Sequence, residues 1–281
     1  MRFRLSVLIA ILALSGCAPQ EAAPVEPAEA VPDNAHFVAV AGHSPPFART
    51  PYEKFSRVEA VAIAQQEWLL FGQRVDDNPP HSDADSETSD RLQRFPGLWR
   101  RVGEYWWLGQ DADRRESAWT GMHDENGQEI DDSRADYYAW SAAFISYVMR
   151  TAGAGARFPY APSHYIYINI AKDMKLERTT GWAVVAESLD EYAPSPGDLI
   201  CYWRGKRRVS YDKLPVRRFP AHCDIVVQRD KTQLSVIGGN VDAAVTMKHI
   251  PVTADGRLAE GGQVLDDRYH WFVVLRVLYE R

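Results

Sequence analysis

Apolar positions in residues 53–72 (EKFSRVEAVAIAQQEWLLFG) recur at helical spacing through Phe55, Val58, Val61, Ala62, Trp68 and Leu69, and Gly72 supplies a stop. A second helical stretch follows at 91–110, with Leu98, Val102, Tyr105 and Trp106 on one side. Between them, residues 76–90 hold six acids and no base, the composition of a solvated loop. Residues 138–153 (YAWSAAFISYVMRTAG) are apolar around most of a helix, which predicts a buried helix ended by Gly153. Residues 163–174 predict another helix, capped by Ser163. Past Pro194-Ser195-Pro196-Gly197 the period changes, and strands are expected at 198–204, 223–229, 233–237, 245–252 and 269–278. Helices followed by a run of strands predict an α+β fold, a helix packed on an antiparallel sheet, with a helical extension over 51–132 and the main domain over 133–281.

The N-terminus carries a different pattern. Arg2 and Arg4 precede an apolar run over 5–14, too short to cross a bilayer as a mature helix and typical of a secretory signal. The run ends in Leu14-Ser15-Gly16-Cys17, which resembles a bacterial lipobox, so residues 1–16 read as a lipoprotein signal peptide and Cys17 as the lipidated residue. Ala18 after the cysteine, where an aspartate would favour the inner membrane, implies the periplasmic face of the outer membrane. The Pro-, Ala- and Glu-rich stretch 18–32 predicts an extended tether, with the linker region reaching to about residue 50.

Composition narrows the function. Lys and Arg total 32 against 38 Asp and Glu; removing residues 1–16 leaves 30 bases and a net charge of −8, which argues against a nucleic-acid partner. Three cysteines are too few for a disulfide scaffold or a four-cysteine zinc site. Acidic residues 124–132 lack the full spacing of a calcium loop, so no metal is assigned.

Three pieces carry candidate chemistry. Trp140-Ser141-Ala142 opens the buried helix, His222 begins a strand, and Gly238-Gly239-Asn240 ends the next one. A hydroxyl at a helix N-terminus lies beside free backbone N–H groups, a favourable place for a nucleophile and its oxyanion, and equally the place of a cap. A strand histidine can serve as base, and Asn240, or Asp224 on the same strand face as His222, can orient it. Trp140, His164 and the bases Arg207 and Arg208 of the loop 204–218 are candidates for substrate binding. Cys201 and Cys223, on strands expected to be neighbours, either pair or stay as separate buried thiols.

Taken together, WSAAFISYVMRTAG, SPGDLICYWR, HCDIVV and VIGGNV are similar to the bacterial family of domain of unknown function 2272, over about residues 95–281. That family in turn resembles the NlpC/CHAP papain-like superfamily of cell-wall peptidases and amidases. Its relatives carry cysteine in a W-C-A-x-F-V-type motif where this chain has Ser141, and some carry glutamate where it has Gly238. The resemblance implies a papain-like fold in which Ser141 attacks, His222 moves the proton and Asn240 orients His222, with no cofactor. It implies peptidoglycan peptides as partners, with the membrane reached through the lipid anchor. The rival expectation is an inert module of the same fold that binds cell-wall peptides or an envelope partner.

Overall fold

The computed structural model describes residues 54–79, 91–124 and 126–280. The signal peptide, Cys17, the tether and most of the acidic loop lie outside the described residues. Helix α1, Arg57–Leu70, is capped by Ser56, whose hydroxyl accepts from the Glu59 N–H at 3.2 Å. It buries Ala60, Ala64 and Glu67, spaced by four and three, while Val58 and Leu69 face outward. The apolar stripe expected there is therefore turned: small residues make the close contact, and an acid sits inside. Helix α2, Leu98–Gly109, buries Val102, Tyr105 and Trp106 as expected. It meets helix α3, Ser141–Thr151, so closely that a Cβ on Gly109 would lie 2.6 Å from the Ala143 carbonyl oxygen.

Helix α3 is buried from Ser141 to Met149. Helix α4, His164–Lys175, begins after Ser163, which occupies the cap position but makes no side-chain cap bond. Among the described residues, no helix is long and apolar enough to cross a membrane.

Six antiparallel strands form one sheet: β1 (Val184–Glu187), β2 (Leu199–Trp203), β3 (Ala221–Arg229), β4 (Gln233–Val241), β5 (Ala244–Pro251) and β6 (Trp271–Val277). Their spatial order is β1-β6-β2-β3-β4-β5. The fold is α+β, with helices on an antiparallel sheet, as the pattern predicts. Asp198, between Gly197 and β2, is structural: it accepts from the Ser195 and Val277 N–H groups and from the Tyr192 hydroxyl, tying β2 to β6.

The two sheet faces bury different sets. Cys201, Cys223, Ile225 and Ile237 join the helices in one core, which also holds Phe55, Ala60, Tyr105 and Phe144. Ile200, Tyr202, Val226, Val236 and Tyr269 form a second core on the opposite face. Cys201 and Cys223 face each other across β2 and β3 and form a disulfide.

Candidate active site

Ser141 is the first residue of α3, not its cap; Trp140 holds the cap position. The first intrahelical bond runs from the Phe144 N–H to the Trp140 carbonyl, which leaves the N–H groups of Ser141, Ala142 and Ala143 without intrahelical acceptors. Ser141 is buried, 7% exposed, and its hydroxyl lies 2.7 Å from His164 Nε2. On the other side of the ring, His164 Nδ1 contacts the hydroxyl of Tyr167, one turn along α4. His164 and Tyr167 are both buried. Burial holds the His164 imidazole well below its ordinary range, with the nearby His222 acting in the same direction, so the ring is neutral at neutral pH. The imidazole paired with Ser141 is thus His164, expected only as a substrate contact, and not His222.

Strand register explains the correction. His222 and Asp224 alternate with Cys223 and Ile225, which pack toward the helices, so their side chains project from the opposite sheet face. At the strand's end the His222 ring still comes within 5.2 Å of the His164 ring, centroid to centroid. Its Nε2 lies 3.1 Å from Asp224 Oδ1, and Lys248 Nζ of β5 lies 2.8 Å from Asp224 Oδ2. All three side chains are buried. Burial alone would raise the Asp224 carboxyl, but Lys248 and His222 overcome it and hold the group at about 2. Burial drives His222 down to about 4, against the pull of Asp224.

Asp224, the alternative partner, orients His222; Asn240 does not. Asn240 adopts φ 57°, the left-handed conformation that asparagine tolerates in turns, and makes no hydrogen bond to His222. The two glycines before it have distinct uses. A Cβ on Gly238 would fall 2.0 Å from Asp224 Oδ1 and 2.7 Å from His222 Nε2, and one on Gly239 would fall 2.5 Å from Phe144 Cβ. Gly238 therefore leaves space for the His222–Asp224 pair, and Gly239 lets β4 approach α3.

The expected substrate contacts separate. Trp140 is fully buried and donates its indole N–H to Gln93 Oε1 at 2.7 Å, so it is a core residue and not a lining of the cleft. Arg208 pairs with Glu260 at 3.1 Å in a surface depression beside Asp190 and Tyr211. Arg207 is exposed, and no hydrogen bond or ion pair among the described residues joins it to Ser141 or His222. Two participants escaped the sequence reading, Tyr167 and Lys248. Each had a faint signal: Tyr167 follows His164 by three residues on one helix, and Lys248 is a charged residue on the same strand face as Ala244 and Ile250.

A family model described as "Uncharacterized protein conserved in bacteria (DUF2272)" matches residues 93–277. The chain belongs to the DUF2272 family. Comparison with curated proteins and with solved structures finds no match. The matched stretch starts at Gln93, the residue that receives the Trp140 indole, and ends at the last residue of β6. Ser141, His164, His222, Asp224 and Lys248 all lie within it, so both polar centres belong to the part of the chain shared with this bacterial family.

Proposed function

We propose that this DUF2272 chain is a lipid-anchored envelope protein whose papain-like domain hydrolyses, or transfers, acyl groups of peptidoglycan peptides, with Ser141 as nucleophile and His164 as base. One observation carries the reading: Ser141 Oγ lies 2.7 Å from His164 Nε2 at the first residue of a buried helix. In the forward step, Ser141 Oγ attacks an amide carbonyl while its proton passes to His164 Nε2. The tetrahedral intermediate collapses, the proton goes to the departing amine, and the acyl group remains on Ser141. Water then attacks this ester, gives a proton to Nε2, and the serine is restored as the acid leaves. The N–H groups at the start of α3 are the donors for the developing oxyanion. No cofactor enters these steps. The buried Cys201–Cys223 disulfide fits an oxidising compartment, as does the lipobox at Cys17.

A specific observation favours a second reading, an inert module of the same fold. Among the described residues, the buried Tyr167 hydroxyl has His164 Nδ1 as its one hydrogen-bond partner. If it donates there, the imidazole proton sits on Nε2 and points at Ser141, which then accepts and cannot surrender its proton to His164. Incubation of purified protein with muropeptides, read by mass spectrometry, decides between them. The hydrolase reading expects new cleavage or transfer products that vanish in Ser141→Ala. Unchanged muropeptides with a folded protein favour the inert module.

A further inference from the structure

A groove of about 520 Å³, within the range of ligand sites, shares no lining residue with either polar centre. Its lining is Arg115, Trp119, Ser133, Arg134, Tyr137 and Tyr138. Two short pieces of chain supply these residues: the 3₁₀ helix Arg115–Ala118 with Trp119 at its end, and the 3₁₀ helix Asp132–Tyr138, which leads into α3. Trp119 is held from behind, packed T-shaped at 4.9 Å against Trp106 of the core. Tyr138 packs against Trp119 at 4.9 Å, and Tyr137, 54% exposed, packs against Tyr138 at 5.2 Å. The ring planes of Tyr137 and Tyr138 differ by 79°, and those of Trp119 and Tyr138 by 67°. Rings set so steeply make ridges with slots between them, not a flat platform on which a sugar ring could lie.

The polar groups of the groove are mostly donors. Arg115 donates to the Tyr137 hydroxyl, and Arg134 donates to the Tyr138 hydroxyl at 3.0 Å. Each guanidinium spends one N–H this way and keeps the rest, and each hydroxyl, having accepted, keeps its own proton to give. The guanidiniums also lie near the ring faces, Arg115 at 5.8 Å from Trp119 and 5.7 Å from Tyr137, and Arg134 at 5.4 Å from Tyr138. Neither forms an ion pair among the described residues; Glu116 attracts Arg115 without pairing with it. Asp131 and Asp132, where the second piece begins, are occupied: Asp131 accepts the Ser133 N–H at 2.9 Å, and Asp132 pairs with Arg91 and Arg94. The Trp119 indole N–H makes no hydrogen bond among the described residues.

The matching ligand presents acceptors, carries few donors, and has apolar faces narrow enough for the slots. A proline-rich chain meets all of these demands. Its ring is a compact apolar wedge, its nitrogen carries no N–H, and a polyproline II helix leaves every carbonyl free. We infer that the groove binds a proline-rich segment of a partner protein, with acidic residues among the prolines. Proline rings seat between Trp119, Tyr137 and Tyr138, carbonyls accept from the indole and the tyrosine hydroxyls, and a carboxylate pairs with Arg115 or Arg134. A preformed helix loses little freedom on binding, which suits a groove whose walls are already anchored. The inference does not rest on the chemistry proposed for Ser141.

The test is calorimetric titration of the full chain with the end-blocked peptide PPEPPEPP. The peptides GGEGGEGG and PPKPPKPP are the controls, and the N-acetylglucosamine trimer is the saccharide alternative. PPEPPEPP should bind saturably. GGEGGEGG keeps the charge but loses the rings and gains N–H donors, and PPKPPKPP keeps the rings but reverses the charge; each should bind about tenfold more weakly or worse. Tyr137→Ala removes an exposed ring, so it should keep the thermal midpoint while weakening PPEPPEPP by about tenfold or more. Arg134→Ala should weaken binding and reduce its dependence on salt. The inference is overturned if PPEPPEPP does not saturate, if GGEGGEGG or PPKPPKPP binds as well, if the trimer binds more tightly, or if Tyr137→Ala or Arg134→Ala leaves the affinity unchanged. No arm reads turnover, so a failure here is distinct from a failure of the hydrolase reading.

Discussion

Gly238 has no room for a methyl group. A Cβ there would lie 2.0 Å from a carboxylate oxygen that is already committed to His222. Gly238→Ala should cost about 1–3 kcal/mol or more, because Asp224 is buried between two partners and cannot step aside. Gly103 is the contrast: in mid-α2 its added Cβ meets the Thr120 side chain at 3.4 Å, an ordinary contact. Gly103→Ala should be neutral or stabilising by up to about 1 kcal/mol through helix propensity. Urea unfolding of the two variants checks the pair, and a Gly238→Ala protein as stable as wild type would mean the His222–Asp224 geometry is wrong. At this scale the sequence marked the right residue types and only part of their pairing. Ser141, His222 and Asp224 were visible as candidates, but the choice of His164 over His222 depends on which sheet face a strand residue projects from and on where α4 lands. Neither is written in local spacing.

Among the elements, α3 and the strands β2 to β6 were legible because their apolar runs stand out, with Gly153, Gly197, Pro220 and Pro251 at or near an end of α3, β2, β3 and β5. Strand β1 was missed: it has four residues, one of them alanine, and is recognisable by its pairing with β6 rather than by its own sequence. The face of α1 was misread for a related reason. Its burial is set by Glu67, which accepts from Arg101 Nε at 2.7 Å, from the Tyr105 hydroxyl at 2.6 Å and from the Tyr147 hydroxyl at 3.1 Å. One acid thus joins α1 to α2 and α3, and a hydrophobic pattern cannot register it. Glu67→Ala should cost about 3–5 kcal/mol, since it removes the buried acceptor of the Tyr105 and Tyr147 hydroxyls and one of the two carboxylates that pair with Arg101. Thermal or urea denaturation measures this, and a loss below about 1 kcal/mol would show that α1 is held by its apolar contacts alone.

For the whole molecule, the two buried histidines set the response to acid. Burial lowers both below the ordinary value near 6.5, so the unfolded chain binds their protons more readily than the folded one. As the pH falls through about 6.5, stability should be lost, and the loss should continue until His222 protonates in the fold near 4. Above about 6.5 these two groups contribute no further pH dependence. Asp224, depressed in the fold, adds its own loss below about 4, the ordinary carboxylate range. Denaturant midpoints measured from pH 4 to pH 8 check this: a rise up to about 6.5 followed by a plateau is expected, and a flat profile across that range would contradict the burial of neutral histidines. The overall class, α+β with helices on an antiparallel sheet, was legible from the change of hydrophobic period, whereas the division of polar groups into two centres on opposite sheet faces emerged only from the register.

The most direct test of the account is labelling of folded protein with a serine-directed fluorophosphonate, read by peptide mass spectrometry in wild type, His164→Ala and His222→Ala. The pairing at 2.7 Å predicts modification of Ser141 in wild type, its loss in His164→Ala and its persistence in His222→Ala. No label on folded wild-type protein, or a label lost with His222 and retained without His164, would contradict it.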